Sequence, residues 1–166
     1  MRLRSLRLLA GARNGAAERD PCAGAGRHPC RRSEPVKALL TFEFDGRSLA
    51  AALERAVERF ADAVADVHPS MAAAAEDVDI EVNATTPPAL LLAVLEECLR
   101  RGHEGRLAVG LDATVDDGVV LRGRLSTVAL DDPRVTADLP TVLSWHELSL
   151  GHDGEVGGWR GRVVAR

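Results

Sequence analysis

The chain has 166 residues, 46% of them hydrophobic and 28% charged, a balance that excludes a wholly disordered protein and supplies enough apolar surface for one domain with a sizeable core. Aromatic residues make up 3% of the chain and tyrosine is absent, which argues against a stacking platform for single-stranded nucleic acid. The net charge of −4 joins two unlike regions: residues 1–37 hold nine Arg or Lys against three acids, net +6, and residues 38–166 hold twelve Arg against twenty-two acids, net −10.

An acidic body repels phosphate backbones, so no direct binding of nucleic acid is expected of it. No stretch approaches the ~20 apolar residues of a membrane span.

Residues 1–35 are rich in Gly, Ala, Arg and Pro and carry no sustained apolar period, a linker-like composition. In the opening run Arg2, Arg4 and Arg7 interrupt the leucines, so the apolar core of a signal peptide is missing. Two readings stay open for this leader, a disordered or spurious segment and an Arg-rich targeting arm. On the first, its few apolar residues do not offset ~1–2 kcal/mol of backbone ordering per residue. Cys22, His28 and Cys30 are three potential ligands at irregular spacing with no second pair downstream, which falls short of a structural zinc site.

The domain is expected over residues 36–166. Ala38 to Phe44 reads as a strand with Leu40, Phe42 and Phe44 on one face, closed by the turn signal Asp45-Gly46. Ser48 is a good N-cap for a helix from Leu49 to Ala65, where Leu49, Leu53, Val57, Phe60 and Val64 recur at helical spacing. Asp77 to Ala84 alternates strictly and reads as a half-buried strand with Val78, Ile80 and Val82 inward. Thr86 followed by Pro87-Pro88 opens a leucine-rich helix running to Arg101, with Gly102 read as its C′ residue. Leu107–Thr114 and Val119–Leu130 form two strands around Asp116-Asp117-Gly118, a hairpin signal. Val142–Leu150 and Trp159–Val164 form two more around a Gly-rich loop. The order β-α-β-α-β-β-β-β predicts an α+β fold, two helices packed on a largely antiparallel sheet.

The chemistry candidates are few. No phosphate-binding glycine loop is present. Ser144 and His146 are placed two apart on one strand face, an arrangement that packing or surface exposure explains as readily as a catalytic pair. Asp116, Asp117, Asp131 and Asp132 could attract a hard cation, but they sit in a hairpin turn and a loop before Pro133, where a solvated turn accounts for them. Cys98 lies in a leucine-rich run and reads as a buried thiol. No catalytic constellation assembles, which points away from an enzyme and toward a binding or accessory protein.

Three stretches together resemble the archease family, accessory proteins of the RtcB-type tRNA-splicing RNA ligase. They are Phe42-Glu43-Phe44-Asp45-Gly46-Arg47-Ser48-Leu49 leading into the first helix, Val78 to Val82 followed by the leucine-rich helix with Glu96-Glu97, and Val142-Leu143-Ser144-Trp145-His146-Glu147-Leu148 with Gly157-Gly158-Trp159-Arg160-Gly161-Arg162-Val163-Val164. The resemblance implies an archease-like sandwich, cytoplasmic action, no catalysis of its own, promotion of guanylylation and turnover of the ligase, and a bound divalent cation, calcium or magnesium. It also marks Trp145 and His146 as candidates for the partner surface. Counting from Gly46 and Trp159 puts the family's two cation carboxylates on Leu39 and Arg166. A hard cation needs oxygen ligands, and neither residue offers one, so this chain is expected not to bind the ion. The competing reading is an archease-like interaction domain that no longer acts on a ligase.

Overall fold

The computed structural model describes residues 40–117, 119–140, 145–154 and 157–165, with the backbone alone for Ala72, Trp145 and His146. The elements are β1 (Leu40–Gly46), α1 (Leu49–Val64), β2 (Ala65–Val67), a 3-10 helix (Pro69–Ala74), β3 (Glu76–Asn83), α2 (Pro87–His103), β4 (Arg106–Asp116), β5 (Val120–Ala129), β6 (Val135–Ala137), β7 (Trp145–Asp153) and β8 (Gly158–Ala165).

Both helices begin where the sequence places them. Ser48 Oγ accepts from the Ala51 amide at 3.1 Å, and Thr86 Oγ1 from the Ala89 amide at 3.3 Å, each satisfying a donor that the first turn leaves without a partner. The stripe Leu49, Leu53, Val57, Phe60 and Val64 is buried in full, as the helical period requires. Helix α2 ends differently from the expectation. Gly102 lies inside the helix and is buried, and a Cβ there would crowd Leu139 Cδ1 at 2.8 Å. The cap is Glu104, and Gly105 at φ +85° takes the left-handed position that glycine tolerates best.

The fold is α+β, and every strand pairing is antiparallel. Among the described residues the strands form three sheets in place of one, in the orders β1-β8-β7, β2-β6 and β3-β5-β4. Helix α1 packs on β1 and β8 of one three-stranded sheet and on β4 of the other, while α2 reaches β7 on one side and β3 and β4 on the other. The helices therefore share one core with both sheets. At its centre Leu53, Phe60, Leu90, Leu91, Leu95, Leu107, Leu121, Leu125 and Val163 are fully buried. Among the described residues the one buried polar residue is Thr127, whose hydroxyl donates to the Glu76 carbonyl and accepts from Arg106 Nε, both at 3.1 Å.

In β8, Gly161 stands opposite Phe44 of β1, and a Cβ at this glycine would overlap the Phe44 ring. The close approach lets the ring lie over the middle strand. No helix among the described residues is long and apolar enough to cross a membrane.

Two substitutions test this packing by chemical denaturation. Phe60→Ala should cost about 3–5 kcal/mol, the range for emptying a fully buried aromatic site. Gly161→Ala should cost about 1–3 kcal/mol through overpacking. A change below 0.5 kcal/mol in either would contradict the arrangement of α1 and β8.

Candidate functional site

Leu40, Trp145 and Ala165, in or beside the stretches that carry the resemblance, meet at one end of the β1-β8-β7 sheet. Leu40 of β1 and Trp145 of β7 both stand opposite Ala165 of β8, forming one row across the three strands. Leu39 immediately precedes this row in the chain and Arg166 immediately follows it; both lie outside the described residues, as do the side chains of Trp145 and His146. Val163 and Ala165 are buried and Leu40 half-buried, so the inner side of this sheet end is apolar.

The backbone at His146 departs from simple alternation. Trp145 pairs with Ala165 and Glu147 with Val164, leaving His146 as an extra residue in β7. A bulge of this kind interrupts the two-residue side-chain period. The period that placed Ser144 and His146 on one face therefore does not run through His146, and Ser144 lies outside the described residues.

On the outer side, Arg162 lies between two carboxylates, 3.9 Å from Glu43 Oε1 and 3.9 Å from Glu147 Oε2. All three are more than half exposed, so each pair contributes only ~0–1 kcal/mol. One guanidinium between two carboxylates leaves the group with a single net negative charge. At the other end of the sheet, Asp45, Gly46, Arg47 and the segment Gly157–Arg160 line a groove of about 270 Å³. Trp159 is half-buried there, packs against the core and meets the His152 ring edge-on at 5.7 Å, which makes it a packing residue.

Two of the four turn acids, Asp116 and Asp132, face arginines. Asp116 Oδ2 accepts from Arg122 Nη1 at 3.0 Å. Asp132 accepts from the Arg134 amide and from its guanidinium at 2.7–2.9 Å. The guanidinium first, then the amide, hold the Asp132 carboxyl down to about 2. Asp117 adopts φ +51° in the β4–β5 turn, a conformation that Asp tolerates better than most residues. Among the described residues no three His, Cys, Asp or Glu side chains gather closely enough to hold a metal ion.

Two features went unread in the sequence. One is the Glu97 cluster on α2, where Arg100 donates to both carboxylate oxygens and Arg101 Nε to Oε1 at 2.8 Å. The Arg100 hydrogen bonds lead in lowering the Glu97 carboxyl below its usual range, against the cost of burial. The i, i+3 and i, i+4 spacing was visible, but such pairs are usually solvated helix faces. The other is a groove of about 490 Å³ bordered by Asp62, Asp66, His68 and Val109, built by β2 and the 3-10 helix, both too short to show a period. Cys98 is buried, as its leucine-rich setting suggested, and burial pushes its thiol up to about 12.

No family model matches the sequence, and no curated protein matches it. Among solved structures the chain is similar to an archease from Thermotoga maritima described as a possible chaperone, with a TM-score of 0.52 and 12% identity over 75% of this chain and 87% of that one. At that identity the likeness is one of fold: the two helices and antiparallel sheets form an archease-like α+β arrangement.

The thiol supplies a direct check. In the native protein at pH 8, Cys98 should remain unmodified by iodoacetamide in peptide mass maps, and urea should render it fully reactive. Native labelling as fast as in urea would contradict its burial.

Proposed function

We propose that the chain is a non-catalytic, cytoplasmic accessory protein of an RtcB-type RNA ligase, promoting guanylylation and turnover of the ligase in tRNA splicing or RNA repair. The supporting observation is the archease-like fold in a chain whose three archease-like stretches occur in family order. The β1–β8 pairing, from Phe42 opposite Val163 to Gly46 opposite Trp159, brings the first and third of these stretches side by side. The acidic body suits docking on a basic enzyme surface, where complementary charge speeds encounter.

The cation of the family is not part of this reading. Leu39 has no donor atom and Arg166 carries a positive charge, which at ~6 Å and ε ≈ 20 repels a divalent ion by roughly 5 kcal/mol. On the outer side of this sheet Glu43 and Glu147 already face Arg162. The residues present do not fit a hard cation at this end of the sheet. Partner contact is assigned to Trp145 and His146 at the bulge.

The lost carboxylates favour a second reading, an archease-like interaction domain without ligase-activating function. A guanylylation assay separates the two. Adding the chain to an RtcB-type ligase with GTP should raise the rate of enzyme guanylylation several-fold and permit multiple turnovers, with His146→Ala reducing the effect. No change in rate or turnover would contradict ligase activation and leave the second reading. In the same preparation, submillimolar calcium binding by calorimetry would overturn the assignment of Leu39 and Arg166.

A further inference from the structure

Strand β3 is an edge strand. It pairs with β5 on one side, and among the described residues no strand pairs with its other side. The Ala84 amide donates to the Val119 carbonyl at 2.9 Å in continuation of this ladder. Antiparallel pairing alternates, so Val78, Ile80 and Val82 direct their backbone groups to β5, and Asp77, Asp79, Glu81 and Asn83 direct theirs to the open side. A groove of about 440 Å³ runs along that side, between the five residues Asp79 to Asn83 and Ala93, Glu97 and Arg101 of α2. A row of backbone donors and acceptors facing a groove is the geometry that takes up an added strand.

We propose that this edge binds an extended segment of another protein as a fourth strand, a segment with Arg or Lys at every second position and apolar residues between. The charge pattern selects that occupant. On the outer face of the sheet, Asp77, Asp79 and Glu81 of β3 and Asp112 and Asp116 of β4 surround Arg122 and Arg124 of β5, and all are exposed. Five carboxylates against two guanidinium groups leave an acidic surplus. The closed side of β3 already accommodates the proposed pattern: in the β5 segment Leu121-Arg122-Gly123-Arg124-Leu125, Arg122 Nε lies 3.2 Å from Glu81 Oε2 and Arg124 Nη1 3.8 Å from Asp77 Oδ2. Asp79 makes no ion pair or hydrogen bond among the described residues and stands between those two acids.

On the groove side, Ile80 is buried, Val82 is half-buried and Ala93 adds a small apolar wall, matching the apolar positions of the segment. Glu97 is already held by Arg100 and Arg101, so the groove floor does not call for a further cation. A second copy of this chain is a poor occupant, because pairing β3 with β3 would set Asp and Glu directly opposite Asp and Glu. The same acids that discourage self-association thus recruit a basic strand. The inference does not depend on the ligase role, since its test uses a peptide and no ligase.

The probe is a fluorescein-labelled, end-capped peptide alternating Arg with Val, titrated with the full chain at physiological salt and followed by anisotropy. Binding is expected, at least tenfold weaker for Asp79→Arg and weakened less by Asp79→Asn, with hydrogen exchange of the Glu81 and Asn83 amides slowed in the complex. The proposal is overturned by the absence of binding at millimolar protein. It is equally overturned if a peptide with alternate amides N-methylated binds as well, which would mean charge attraction without strand addition, or if slowed exchange falls elsewhere.

Discussion

Helix α1 presents Leu53, Ala56, Val57 and Phe60, none with exposed surface, to strands of both three-stranded sheets. Among the described residues the sheets share no strand pairing with each other, so what joins them there is the apolar stripe of this helix together with α2. Small residues matter as much as large ones. Ala52 and Ala56 are completely buried, which lets β1 and β4 approach the helix closely. Gly161 does the same for the Phe44 ring within the first sheet. Hydrophobic burial supplies the driving force, and polar groups are either satisfied or at the surface: among the described residues no buried side-chain polar atom lacks a partner.

The elements that position the candidate site were largely legible in the sequence, because each has enough length to display a period. The alternation in Val78, Ile80 and Val82 and the three-and-four spacing from Leu49 to Val64 report which face of an element is buried, and both correspond to the structure. Periodicity does not report partners. It could not distinguish one sheet from three, nor reveal that Ala65–Val67 pairs with Val135–Ala137 across some seventy intervening residues. Gly102 illustrates the same limit: a glycine near the end of a helical pattern reads as a stop, while its reason for being small is Leu139, far along the chain. At His146 the local pattern looked like an ordinary strand, and only the pairing with β8 exposes the extra residue.

The first and third archease-like stretches pair in the β1-β8-β7 sheet, but fold alone does not carry function. The charge of the surfaces around that fold is unevenly spread. On the outer side of the β1-β8-β7 sheet Arg162 offsets one of the two charges of Glu43 and Glu147, and Asp116 and Asp132 face Arg122 and Arg134. A larger acidic surplus lies on the open face of the β3-β5-β4 sheet, beside a strand edge.

The account rests on α1 joining two otherwise separate sheets into one cooperative unit, and native-state hydrogen exchange as a function of denaturant tests that most directly. Amides in α1 from Leu53 to Phe60, in β5 from Leu121 to Val128 and in β8 from Gly161 to Ala165 should merge into a single unfolding isotherm at the global free energy. An isotherm in which the β3-β5-β4 sheet opens at lower denaturant while α1 and the β1-β8-β7 sheet stay protected would contradict it.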